Sequence, residues 1–235
     1  MREPTCVIVT GAGGNLGRAT ATRLAGQGVN LVCVDRTPDV LAALVESLPS
    51  KAKVLTFVGA DLSNPSIAQA MTEAAVDSFG GIDGLVNTVG GFATGPVGGD
   101  TLAQFDQMMN LNARVALVTS VAVLPVMQAA RYGRIVHIAA GPGLKAGANQ
   151  AAYAASKAAV LRLTESIAAE HRGNRITANC ILPGTIDTPQ NRAAMPNANV
   201  ADWVSPDSIA RLIAFLISPE AAVVTGAAIP ATGLE

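Results

Sequence analysis

VIVTGAGGNLGRATATRLAGQG, Val7 to Gly28, runs from an apolar stretch through four glycines into a mixed charged and apolar segment. The opening reads as a short buried strand from Thr5 to Thr10, and the close as a helix from about Leu16 to Gly26. Between them Gly11, Gly13 and Gly17 bare the backbone. N–H groups and a helix start can then approach a pyrophosphate without side-chain obstruction. Leu16 is placed to anchor the helix start against a sheet. The same glycines can serve only to turn the chain, so the context has to decide.

That context is a repeated alternation of strand and helix. Apolar strands are expected at Asn30–Val34, Val54–Val58, Gly84–Thr88, Arg134–Ala139 and Arg175–Ile181, with a final apolar run at Val223–Ile229. Helical spacing marks Val40–Leu48, Ser66–Phe79, Leu102–Gln128, Ala152–His171 and Asp207–Ile217, with Pro125 expected to bend or end the long one. The segment after Pro183-Gly184 reads as irregular and polar to about Ser205. Strands with little internal alternation are buried on both faces, as in a parallel sheet covered by helices. The expectation is an α/β fold: one doubly wound domain over residues 1–235, with a mostly or wholly parallel sheet and helices on both faces.

Composition narrows the function classes. Half of the 235 residues are apolar and 14% are charged, which excludes a disordered chain. A net charge of -1, with sixteen scattered Lys and Arg, gives no basic face for nucleic acid. Cys6, Cys33 and Cys180 stand far apart in apolar or β-branched runs and read as buried free thiols. Two histidines and no close cysteine pair leave no zinc set, so no metal is expected. No signal peptide is apparent and no run reaches the roughly 18 apolar residues of a membrane span, so no membrane partner and a cytoplasmic location are expected. Abundant small residues and few charges point to surface buried against other subunits.

Further positions at strand ends extend the nucleotide reading. Asp35 follows the second strand, 18 residues beyond Gly17, where a carboxylate accepts hydrogen bonds from an adenosine ribose. It would repel a 2′-phosphate, which favours NAD; Arg36 beside it could pair with that phosphate, which leaves NADP as the lesser choice. Asp61 and Leu62 follow the third strand, with Asp61 placed for an adenine amino group or, equally, for a local turn with Ser63. Asn87, Thr88, Val89 and Gly90 follow the fourth and can line the middle of a cofactor.

Tyr153 and Lys157 lie four residues apart on one helix and present to one side of a cleft. A phenol with a pKa near 10 is a poor base, but an ammonium and an oxidised nicotinamide favour phenolate. Tyr153 can then exchange a proton with an alcohol or carbonyl, and Lys157 can hold the nicotinamide ribose. An isolated Tyr/Lys pair at this spacing is commonplace; joined to the glycine turn and Asp35 it acquires meaning.

With these residues assembled, the chain resembles the classical short-chain dehydrogenase/reductase family over Thr5 to Gly233. TGAGGNLG matches its turn, with Asn15 in place of the middle glycine; NTVG stands for its NNAG. Asp35 and Asp61 match its NAD-preferring and adenine-side aspartates. The resemblance nominates Asn112 over Asn110 as catalytic asparagine beside Tyr153 and Lys157, and PGTIDTP, through Pro183, Gly184, Ile186 and Thr188, as the segment meeting the nicotinamide carboxamide. It implies a Rossmann fold, a homo-oligomer with a tetramer favoured over a dimer, and an NAD-dependent interconversion of a small-molecule alcohol and carbonyl.

One part departs from the family. Its catalytic serine falls thirteen positions before the tyrosine, and Ala140 stands there. By analogy with a lost oxyanion donor this costs roughly 2.7–4 kcal/mol in the transition state. Asn149, Gln150, Thr185 and Thr188 are the candidate substitutes, while His137 is expected to pack as a core or rim residue. The departure also motivates an alternative, an NAD-binding regulatory or scaffolding protein whose chemistry has weakened. Residues 188–205 are expected to cover the substrate, with Met195 and Trp203 as apolar contacts and Asn191 and Arg192 as polar ones, or else to be a surface excursion with Trp203 buried.

Overall fold

The computed structural model describes residues 5–49 and 51–233; the expected domain bounds at 1 and 235 lie outside them. Seven parallel strands form one sheet in the order β3-β2-β1-β4-β5-β6-β7. They are β1 (Cys6–Thr10), β2 (Asn30–Asp35), β3 (Val54–Val58), β4 (Gly84–Asn87), β5 (Gly133–Ile138), β6 (Ile176–Pro183) and β7 (Ala228–Ala231). Strand order reverses between β1 and β4, so the crevice beyond their C-terminal ends is the natural ligand position of such a sheet.

Helices cover both faces. They are α1 (Asn15–Gly26), α2 (Pro38–Ser47), α3 (Pro65–Phe79), α4 (Thr101–Met108), α5 (Val115–Ala130), α6 (Ala151–His171), α7 (Pro189–Ala194) and α8 (Pro206–Ile217). One core packs α1, α2 and α8 on the sheet through Leu24, Leu41, Leu44 and Ile213. The other packs α3, α5 and α6 on the opposite face through Met71, Val123, Met127 and Ile167. β1 and β4 are buried along their whole length, which is why neither shows a polar alternation.

Four expectations change. Pro125 lies inside α5 and neither ends nor shortens it. It is exposed, as is Val121, the residue whose carbonyl loses its partner. Between α4 and α5 the helix widens into a π turn, Met109–Arg114. The uninterrupted helical stretch Thr101–Ala130 is therefore long and apolar enough, by length and composition, to cross a membrane, although the sequence showed no such run. Its inward residues Val115, Val123 and Met127 are part of the core. The polar segment after Pro183 contains α7, started by Pro189 and capped by Thr188 Oγ1, which accepts from Asn191 N at 3.1 Å. Finally, Val223 ends a 3-10 turn (Pro219–Val223), and strand pairing begins only at Ala228.

Candidate active site

The glycine turn is held open by contacts that only bare backbone allows. Gly11 has φ 64°, and Thr88 Oγ1 donates to Thr10 O at 2.6 Å, fixing β1 against the end of β4. A Cβ on Gly17 would lie 2.1 Å from Gly11 O, and one on Gly13 2.2 Å from Val40 Cγ2. Neither place tolerates a side chain without movement. α1 begins at this turn with no side-chain cap and no acidic residue in its first turn. Its first N–H groups are thus open, as at α2, α4 and α6, whereas α3, α7 and α8 are each capped by an Asn, Thr or Ser side chain. Leu16 packs into the core beneath, and Asn15 reaches outward to donate from Nδ2 to Gln190 Oε1 of α7 at 2.9 Å.

A cleft of about 350 Å³ follows, lined by Gly11, Asp35, Arg36, Leu62, Val89 and Gly90 among others. Asp35 faces the turn: its Oδ2 accepts from Gly13 N at 3.0 Å and its Oδ1 from Thr37 N at 3.2 Å. Arg36 pairs with Asp61 at 3.3 Å, and both are exposed. Asp61 Oδ1 also accepts from Ser63 N and Oγ at 3.1 and 2.8 Å, and these bonds, ahead of Arg36, lower its pKa. The turn role of Asp61 is therefore realised, at the rim of the same cleft. Asn87 is buried at the end of β4; its Oδ1 accepts from Thr10 and Thr119 hydroxyls, while its Nδ2 has no partner. A bare turn, an uncapped helix start and an unmet amide donor fit a dinucleotide.

The second constellation sits beyond β4 and β5. The π turn carries Asn112 into the interior while Asn110 stays exposed. Asn112 Oδ1 accepts from Gly91 N at 2.9 Å, and its Nδ2 donates to Gly91 O at 3.1 Å and Ser156 Oγ at 2.9 Å. Lys157 reaches back from α6 and donates to Ile138 O at 2.9 Å. A Cβ on Gly90 would lie 2.9 Å from Asn112 Oδ1 and 3.2 Å from Lys157 Nζ, so all three meet at one point. Lys157 Nζ lies 5.9 Å from the Tyr153 ring centre. The ring of Phe92 meets Tyr153 edge-on at 4.9 Å.

Burial dominates the electrostatics of the chain's own groups here. Burial raises the pKa of Tyr153, and the ammonium does not bring it down. Burial also pushes Lys157 down to about 8, with Cys180 opposing. In both groups desolvation by burial is the largest cause, because it disfavours the charged form of each. His137 is enclosed, bonded to Ser120 Oγ at 3.1 Å and Thr164 Oγ1 at 2.9 Å, and burial pushes it down to about 4, with Lys157 adding to the effect. It is a core residue.

Ala140 is buried just past β5, and no side chain from Ala139 to Pro142 offers a donor. Asn149 and Thr185 are exposed. Gln150 Oε1 accepts from Gly147 N at 3.0 Å, and the Thr188 hydroxyl caps α7. Pro183 ends β6, Gly184 N donates to Ala231 O at 2.9 Å, and Ile186 bridges to Val204. Trp203 is buried, Met195 exposed. Asn191 bonds to Ile186 O at 2.8 Å, and Arg192 grips Asp187 through two bonds of 2.6 and 2.7 Å. Both polar side chains thus tie their own segment together. Phe92 and Ser156 escaped the sequence reading. Ser156 lies in the Tyr/Lys stretch itself; Phe92 had only its place two residues beyond Gly90 to mark it.

A reversing parallel sheet, a glycine turn on its first strand and a Tyr/Lys helix beside it define a dinucleotide-type oxidoreductase. The sequence pattern of the short chain dehydrogenase family matches residues 5–199, and the chain belongs to that family. It is 34% identical to levodione reductase of Leifsonia aquatica over 97% of this chain and 92% of that one. It is 32% identical to 2-(R)-hydroxypropyl-CoM dehydrogenase of Xanthobacter autotrophicus over 96% of each. The crystal structure of levodione reductase superposes with a TM-score of 0.90 at 33% identity, covering 99% of this chain and 98% of that one. A putative short-chain dehydrogenase/reductase from Burkholderia xenovorans gives 0.89 at 29%, covering 97% and 95%. The chain is thus an enzyme of the alcohol–carbonyl oxidoreductase kind, on a scaffold that binds NAD or NADP.

Proposed function

We propose that this enzyme uses NAD to interconvert a small or medium alcohol with its carbonyl partner, with Tyr153 exchanging the proton. The observation that carries this is the convergence of Asn112, Lys157 and Gly90 beside the Tyr153 ring, next to a cleft that begins at the glycine turn.

Gly11, Gly13, Asn15, Leu16 and Gly17 would hold the pyrophosphate, Asp35 and Arg36 the adenosine ribose, and Asp61 and Leu62 the adenine. Asn87, Val89 and Gly90 would line the middle; Lys157, Pro183, Gly184, Ile186 and Thr188 the nicotinamide end. The bound nicotinamide supplies or takes the hydride. Asp35 disfavours a 2′-phosphate, and Arg36 is already engaged by Asp61.

Because burial raises Tyr153, its phenol keeps a proton at neutral pH and is set to protonate a carbonyl oxygen. Lys157 keeps its own proton over most of that range and steadies the phenol's charge in the reverse direction. Asn112 locks the loop after β4 against α6 and so fixes where Lys157 reaches. Ala140, standing where the family has its serine, leaves the reacting oxygen one donor short. That same observation supports the second reading, a cofactor-binding regulatory protein with weakened chemistry.

Residues 188–205, tethered to the turn through Asn15 and Gln190, would cover the substrate. Leu117 and Val121 on α5 are 45% and 58% exposed, a bare apolar face suited to an assembly of identical chains, for which the family favours four. The location is taken as cytoplasmic. The test is a fluorescence titration with NADH and NADPH, followed by a panel of ketones and alcohols headed by levodione. Tighter NADH binding with turnover supports the proposal; saturable NADH binding with no turnover across the panel favours the regulatory reading.

A further inference from the structure

Folding brings together two pairs of arginines, Arg131 with Arg134 and Arg172 with Arg175, that lie far apart in the sequence. A cavity of about 720 Å³ opens beside the N-terminal ends of β5 and β6, with Arg131, Arg134, Arg172 and Arg175 in its lining. It is larger than the cleft at the glycine turn and lies at the opposite edge of the sheet from Tyr153. The catalytic reading rests on the Tyr/Lys geometry and not on size, so this second hollow calls for its own explanation.

Its floor is polar and unmet. Arg134 on β5 stands opposite Thr177 on β6, and partners in a parallel register project to the same face. Arg134 is 4% exposed. Its guanidinium donates to the carbonyls of Gly133, Arg175 and Ser218 at 2.9, 3.2 and 3.3 Å and lies 4.4 Å over the Tyr132 ring. Among the described residues no carboxylate forms an ion pair with it, and no Asp or Glu lines the cavity. Burial lowers its pKa and the neighbouring Arg175 adds to that, with Tyr132 opposing. Thr177 is 5% exposed, and its hydroxyl has no partner. Glu220, beside the lining residue Pro219, is exposed and bonded to Ser218. A buried cation met by carbonyls but, among the described residues, by no carboxylate, next to an unmet hydroxyl, is an arrangement that suits an anion.

The mouth adds a separate argument. α5 and α6 end here, and each carbonyl terminus contributes about half a negative charge, too little to offset four guanidinium groups. Arg131 and Arg175 adopt φ of 49° and 61°. Glycine takes that left-handed geometry without strain at a helix end, and arginine does not. Only Asn149 shares the feature among the described non-glycine residues. Arg131 Nη2 donates to Gly173 O at 3.2 Å, tying together the two segments that carry the arginines.

We infer that this cavity binds a small oxyanion carrying two or more charges, a phosphoryl or carboxylate compound, with Arg134 and Thr177 at its floor and Arg131, Arg172 and Arg175 at its mouth. Such a ligand accepts from guanidinium and hydroxyl together, and the planar guanidinium suits both anion types. The site is separate from the dinucleotide cleft, which lies at the other ends of these strands.

The test is calorimetric titration of the full chain at fixed ionic strength, with inorganic phosphate in one arm and citrate in the other, and NAD in excess. Arg175→Gly relieves the left-handed strain, so its melting temperature should match or exceed that of the parent. Thr177→Val keeps the shape and removes the hydroxyl. Saturable binding in at least one arm, weakened about tenfold or more in both variants, is the expected result. The stronger arm identifies the anion type. No saturable binding in either arm, or binding unchanged in either variant, overturns the inference. Because Arg175 is remote from the glycine turn, either outcome holds whether or not the dinucleotide binds.

Discussion

Arg36 and Asp61, beside β2 and β3, are exposed and pair across the mouth of the cleft, whereas Asn112 and Lys157, beyond β4 and β5, keep only 2% and 5% of their surfaces in solvent. On the β1–β3 side the work of holding a ligand would fall to backbone N–H groups at a turn that glycine leaves bare. On the β4–β6 side it would fall to polar side chains closed into the interior and bonded to Ser156 and to the Ile138 carbonyl. Exposed pairs of the first kind are worth about 0–1 kcal/mol, while buried groups of the second kind are costly to leave unpaired. Substitutions of side chains should therefore tune the first side and disable the second.

The sharpest way to break that contrast is Tyr153→Phe. Turnover should fall about a hundred- to ten-thousand-fold in steady-state assays, with NADH affinity changed by less than about threefold. Activity at the parent level would remove Tyr153 from the chemistry. Ala140→Ser comes next. If Ala140 does leave the reacting oxygen short of a donor, the serine should raise kcat by about 100-fold, read on the best substrate of the panel. An unchanged kcat would mean that a substrate group or another side chain already fills the place.

His137 tests the closed interior by pH. The unfolded chain takes up this proton near 6.5, but the folded one resists until about 4. The unfolded state binds more protons between those values, so stability falls as pH drops through that window, by roughly 3 kcal/mol. Melting curves of the parent and of His137→Gln should differ in acid slope by that amount; parallel curves would place a charged imidazole in the fold. The smallest effect belongs to the open side. Asp35→Ser should narrow the preference for NADH over NADPH by about tenfold in fluorescence titrations, through loss of one repelling charge.

The two sides also differ in how far they could be read beforehand. β3 was expected and found at Val54–Val58, and the glycine turn was found between the expected strand and helix, because both depend on neighbours in sequence. Asn112 needed the family resemblance to be chosen over Asn110, since the π turn that carries it inward leaves no mark on apolar spacing. α7 is six residues of mostly polar character, and its only local signals were Thr188 and Pro189 at its start. That Pro125 does not end α5 was not legible either, because a proline on the exposed side of a helix leaves its unpaired carbonyl open to water. The arginine cavity was illegible for a related reason: Arg134 and Arg175 are distant in sequence and become neighbours only when β5 and β6 pair.

The bond between Asn15 and Gln190 joins positions 175 residues apart and stands in water. A neutral link of that kind contributes about 0.5–1.5 kcal/mol, roughly two to ten to one in favour of being fastened. Thermal jostling alone undoes so light a clasp and lets it snap back, with no need to melt either segment. Were residues 188–205 to cover the substrate, passage would depend on how often the clasp happens to be loose, a frequency that changing one amide at position 15 or 190 could dial up or down.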